Sequence, residues 1–158
     1  MMNISPPAST RFGAARMNSL RTVLIIDDDP NIRETLQIVL EGRGYQVLSA
    51  TNGEAGIAKA LKERPHLIIV DMMMPKASGF VVTERLKQQH QLSIPIIMLT
   101  ANESDHQRAY AEFLGVDAYL NKPVPTQELS VVLQQLCPIP PAVPLVPEDL
   151  ELLVGSGF

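Results

Sequence analysis

The chain has 158 residues, a net charge of −4 and a single cysteine, Cys137. One thiol excludes an intramolecular disulfide, and without clustered histidines it argues against a zinc site. Nothing in the charge suggests a nucleic-acid surface, and no apolar run approaches the roughly 20 residues that span a bilayer. A soluble cytoplasmic domain is the expectation, since the N-terminus also lacks the apolar core of a secretory signal.

Residues 1–20 are rich in Ser, Pro, Asn and Ala and have no sustained period, which predicts a flexible head; Met17 is an alternative start. From Arg21 short aliphatic runs recur: "TVLIID" (22–27), "QVLSAT" (46–51), "HLIIVD" (66–71), "IPIIMLT" (94–100) and "DAYL" (117–120). Helical spacing fills the intervals. Ile32, Leu36, Val39 and Leu40 follow Pro30, which suits a first helical position, and Gly42 and Gly44 mark the exit. Ala55, Ala58 and Leu61 mark a second helix, stopped by Pro65. Phe80, Val81 and Leu86 mark a third, and Phe113 and Leu114 close a fourth before Gly115. Leu129, Val132, Leu133 and Leu136 line a fifth.

Strands alternating with helices predict an α/β domain with a doubly wound, five-stranded parallel sheet over residues 21–136. The runs at 23–26, 67–70 and 96–99 are apolar without alternation, as central strands covered on both faces should be. The mixed run at 46–51 suits an edge. After Cys137, five prolines in 138–147 predict a semi-rigid tail over 137–158. It carries "EDLELLV", which reads as a disordered end or as a docking peptide.

In such a sheet, ligands sit beyond the carboxyl ends of the strands. The first strand ends in "DDDP", the third in Asp71, the fourth in Thr100, and Lys122 stands just past the fifth. Acids meeting at one rim repel one another unless a cation intervenes. A hard divalent ion, Mg²⁺ above all, suits oxygen ligands and keeps sites open for phosphate. Lys122 adds positive charge, so the rim reads as a phosphoryl pocket beside a nucleophilic carboxylate. Taken singly, each residue has a plainer role. Asp29 before Pro30 reads as a helix N-cap, Asp71 alone as a turn former, Thr100 as a strand-end hydroxyl and Lys122 as a surface lysine. The functional reading rests on their coincidence.

The segments "VLIIDDDPNIR", "LIIVDMMMPKASGF", "PIIMLTA" and "GVDAYLNKP" together resemble the receiver domain of two-component response regulators. The resemblance implies a flavodoxin-like sheet in the order 2-1-3-4-5 with helices on both faces. It implies that Asp71 accepts a phosphoryl group from a sensor histidine kinase or histidine phosphotransfer protein. Asp28, Asp71 and the backbone carbonyl of Met73 would ligate Mg²⁺ (or Mn²⁺), with Asp27 acting largely through water. Thr100 would hydrogen-bond the phosphoryl oxygen, Lys122 would pair with it, and Ala101 would leave it room. Tyr119 matches an aromatic that turns inward as Thr100 shifts. Met73 and Asn102 would flank the path of attacking water, and the Lys122–Pro123 bond would be cis.

The same resemblance implies a signalling domain rather than an enzyme acting on outside substrates. Only 21 residues follow Cys137, so the expectation is a stand-alone receiver or a piece of something longer, monomeric or weakly dimeric, signalling to a protein through the fourth helix, fifth strand and fifth helix, with no nucleic acid or membrane contact. Ala118 and the absence of Lys or Arg from "TQELSVVLQQL" count against the salt-bridged dimer face of winged-helix regulators. Two other classes fit less well. An aspartate-nucleophile phosphatase generally carries a second aspartate where this chain has Met73. A nucleotide or flavin binder needs a phosphate loop where this chain has "DDDP".

Overall fold

The computed structural model describes residues 20–101 and 104–141. Residues 1–19, Asn102 and the "EDLELLV" segment lie outside them, so the expectations placed there are not addressed by the fold.

Five strands, β1 (Thr22–Ile26), β2 (Gln46–Ala50), β3 (Leu67–Asp71), β4 (Ile96–Thr100) and β5 (Ala118–Asn121), alternate with five helices. These are α1 (Pro30–Gly42), α2 (Gly53–Glu63), α3 (Gly79–Glu84), α4 (Asp105–Leu114) and α5 (Thr126–Leu136). All strand pairings are parallel and the order is β2-β1-β3-β4-β5. Two apolar layers sandwich the sheet: Leu24, Ile26, Ile68 and Met98 pack one way with Ile57 and Val82, while Ile25, Ile69 and Leu99 pack the other way with Leu36, Leu40 and Leu133. This explains why the central runs are apolar at successive positions.

Side-chain caps start the first four helices. The Asp29 carboxylate accepts from Asn31 N at 2.9 Å ahead of Pro30, so Asp29 is the N-cap its position suggests. Asn52 caps α2 and Ser78 and Ser104 cap α3 and α4 in the same way. Gly115, at φ 108°, closes α4 in the left-handed conformation that glycine takes without strain. Beyond Glu84, α3 widens into a π turn over Arg85–Gln89, closed by His90 N donating to Arg85 O at 2.9 Å.

One helical face differs from the periodicity reading. In α2 the core side is Gly56, Ile57 and Ala60, while Ala55 and Ala58 are exposed. The glycine decides this: a β-carbon on Gly56 would fall 2.5 Å from Ile26 Cδ1, so the missing side chain lets α2 lie directly on β1. Phe113 and Leu114 close α4 before Gly115 as the sequence suggests, with Leu114 and Ala111 facing the core and Phe113 78% exposed.

Candidate functional site

The carboxyl ends of β1, β3 and β4 converge on one rim. Asp27, immediately after β1, is 1% exposed and every polar group it carries is engaged. Its N–H donates to Ala50 O at 3.2 Å, Oδ1 accepts from Asp29 N at 2.9 Å, and its carbonyl accepts from Arg33 Nη1 at 2.8 Å. Oδ2 accepts from Lys122 Nζ at 3.0 Å. Asp28 follows it on the surface. Asp71 ends β3 in register with Leu99 and is 6% exposed. Its Oδ1 lies 2.9 Å from Lys122 Nζ. Lys122 therefore ties the first strand's end to the third's.

The fourth strand supplies Thr100, 2% exposed, whose hydroxyl donates to Met72 Sδ at 3.7 Å. Its carbonyl accepts from Lys122 N at 2.7 Å, which holds the lysine's backbone beside the rim. The Lys122–Pro123 peptide is cis. Ala101 is exposed just past Thr100, and Met73 stands two residues after Asp71 with its side chain 71% exposed. Tyr119 is half-buried on β5. Its hydroxyl is buried without a hydrogen-bond partner among the described residues, and the Arg108 guanidinium lies 5.8 Å from its ring centre.

Carboxylate oxygens of Asp27, Asp28 and Asp71 all lie within 4.8 Å of one another. This is an all-oxygen donor set that fits a hard divalent cation and would be unsuited to a soft one. Electrostatics point the same way. Burial raises the Asp71 pKa; the hydrogen bond from Lys122 opposes that, and the charges of Asp27 and Asp28 push it further up. Burial alone would lower Lys122, but its hydrogen bonds to Asp71 and Asp27 prevail and its pKa is raised. A single ammonium thus does not fully compensate the crowded acids. Beside the rim, an open apolar groove of about 260 Å³ runs between α1 and the β5–α5 loop, lined by Ile32, Thr35, Val39, Pro123 and Val124 and reaching Lys122.

Two contributors to this geometry escaped the sequence reading. Arg33 is legible only as a basic residue in the first turns of α1, a helix whose first turn holds no acid. Gly79 sits where an added β-carbon would meet Asp71 O at 2.5 Å. The segment "LIIVDMMMPKASGF" carries this glycine, but its steric reason is not visible there.

A 2-1-3-4-5 parallel sheet with a lysine-bridged acid trio at its carboxyl rim defines a signalling module of the phospho-accepting type. The chain belongs to the response regulator receiver domain family, whose model matches residues 23–134. Transfer of a phosphoryl group to aspartate is the function of that family. The chain is 39% identical over 110 residues to the alkaline phosphatase synthesis transcriptional regulatory protein PhoP of Bacillus subtilis, covering 70% of this chain and 45% of PhoP. It is 36% identical over 108 residues to protein PilH of Pseudomonas aeruginosa, covering 68% of this chain and 89% of PilH. Among solved structures it is similar to Vibrio cholerae chemotaxis protein CheY4, with a TM-score of 0.70 at 33% identity, over 74% of this chain and 98% of that one. The chain spans about half the length of several curated relatives that it matches, including PhoP and PhoB of Pseudomonas aeruginosa. Among the described residues, no helix is long and apolar enough to cross a membrane.

Proposed function

We propose that this chain is a cytoplasmic receiver in which Asp71 accepts a phosphoryl group from a phosphohistidine donor and thereby switches protein contacts. The observation that carries the reading is the meeting of Asp27, Asp28 and Asp71 within 4.8 Å, with Lys122 bonded to two of the three.

Asp71 Oδ attacks phosphorus in line, the phosphorus–nitrogen bond to the donor imidazole breaks, and the electron pair leaves with that nitrogen. An acyl phosphate on Asp71 results. Asp27, Asp28, Asp71 and the Met73 carbonyl would hold Mg²⁺, which when bound supplies charge neutralisation for the phosphoryl oxygens. Lys122 shifts from its carboxylate partners toward the new dianion, and Thr100 gives its hydroxyl to a phosphoryl oxygen in place of the weak sulfur acceptor of Met72. Tyr119 follows Thr100. This small change in charge and hydrogen bonding biases a two-state surface.

A histidine kinase or histidine phosphotransfer protein is the donor in this reading, and the apolar groove reaching Lys122 supports a protein approaching along α1. The output face is α4, β5 and α5, where Val131 is 55% exposed. The chain acts as a monomer or weak dimer and makes no nucleic-acid contact of its own. Acetyl phosphate with Mg²⁺, read by intact mass, tests the assignment. Addition of one phosphoryl group, lost in Asp71→Asn and in excess chelator, is the expected result. A folded, metal-replete protein that stays unmodified would sink it.

A further inference from the structure

Arg33 is a cation near the start of α1, where the helix dipole already presents positive potential, so its charge is locally unfavourable. A helical side chain leans toward the helix N-terminus, and Arg33 uses that lean to reach back six residues. Its Nη1 donates to the Asp27 carbonyl at 2.8 Å. That oxygen belongs to the peptide unit joining Asp27 to Asp28. On one side of this peptide the Asp27 side chain is fixed by Asp29 N and Lys122; on the other, Asp28 is exposed. The Arg33 bond acts on the peptide plane from which the Asp28 side chain departs.

From this we infer that Arg33 is a positioning residue: by gripping the Asp27 carbonyl it orients the Asp27–Asp28 peptide and aims the Asp28 carboxylate into the acid trio. The inference rests on the reading that the trio holds a divalent cation. Residues that orient metal ligands without touching the ion typically change affinity 10–100-fold when removed. A bond that merely satisfied a strand-end carbonyl would change stability and leave affinity alone.

The test uses the full chain and Mn²⁺ alone, titrated by electron paramagnetic resonance of the free ion. Arg33→Met keeps the aliphatic stem and removes the donors; Arg33→Lys keeps charge and a donor. The methionine variant is expected to bind Mn²⁺ about tenfold more weakly. Its labelling rate by acetyl phosphate should recover to the parent's at saturating metal, and the lysine variant should regain most of the affinity. Should Arg33→Met not fold, Arg33→Gln, whose shorter amide lacks the reach, carries the same comparison. Parent-like Mn²⁺ affinity in a folded Arg33→Met overturns the inference. So does a weakening in both variants that follows their unfolding midpoints and leaves the rate low at saturation. A parent that binds no Mn²⁺ overturns instead the cation reading on which the inference stands.

Discussion

Lys122 Nζ stands 2.9 Å from Asp71 Oδ1, and its reach also spans to Asp27 Oδ2 at 3.0 Å, so one ammonium serves two carboxylates from different strands. Removing it leaves two buried acids facing each other. Replacing Lys122 with Met is expected to cost about 1.5–3 kcal/mol in chelator, the range for losing a hydrogen bond to a charged group. Millimolar Mg²⁺ should then restore more stability to the variant than it adds to the parent, because the variant's rim has lost its built-in cation. Urea unfolding with and without Mg²⁺ measures both. Equal stability in chelator would show that solvent already compensates the pair.

The raised pKa of Asp71 has a definite sign for stability. Burial is the main cause, with Lys122 opposing and Asp27 and Asp28 reinforcing it. The folded carboxyl thus holds its proton to higher pH than the unfolded one, so folding takes up protons between the ordinary carboxylate value and the raised one. Stability in chelator should fall as pH rises through that window. The raised pKa of Lys122 acts only above the ordinary ammonium range and leaves the window untouched. Asp71→Asn is therefore expected to be more stable than the parent at neutral pH without metal, and the gap should close on acidification. Thermal unfolding from neutral to mildly acid pH reads it; a gap that widens toward acid reverses the sign and refutes the account.

Gly79 ties a backbone requirement to Asp71. A β-carbon there would sit 2.5 Å from Asp71 O and 3.0 Å from Met72 Cα, both main-chain atoms at the end of β3. Gly79→Ala should cost about 1–3 kcal/mol by overpacking and should also slow acetyl phosphate labelling, since relief comes by moving Asp71. Gly42→Ala is the matched control, because nothing lies within 4 Å of its added carbon. It should leave labelling unchanged.

What could be read beforehand was whatever depends on position along the chain. The apolar runs at 23–26, 67–70 and 96–99 became the three central strands, and the mixed run at 46–51 became an edge. Asp27, Asp71, Thr100 and Lys122 meet because parallel strands deliver their ends to one side, which follows from topology alone. Side-chain reach was not legible. Nothing in the sequence says that Arg33 bends back to Asp27 O rather than into solvent. The face of α2 was misread because counting apolar residues favours Ala55 and Ala58, whereas close approach to Ile26 favours the residue with no side chain, Gly56. The π turn after Glu84 has no local signature in "RLKQQ" either.

Tyr119 carries the last prediction. Among the described residues its hydroxyl is buried with no hydrogen-bond partner, a condition that costs about 1–3 kcal/mol of desolvation with no return in the folded state. Natural folds keep such groups rarely, and often where a second arrangement matters. The ring is held by packing against the layer of Met98 and Ala111 and by the Arg108 guanidinium over its face, neither of which needs the oxygen. Tyr119→Phe is therefore expected to stabilise the unphosphorylated protein by about 1 kcal/mol, measured by urea unfolding in chelator. If the hydroxyl finds its partner only in the phosphorylated arrangement, the same variant should gain less stability from beryllofluoride with Mg²⁺ than the parent does. A phenylalanine variant less stable than the parent in chelator would mean that the oxygen is already bonded in the resting protein, and the two-state role would lose its driving force.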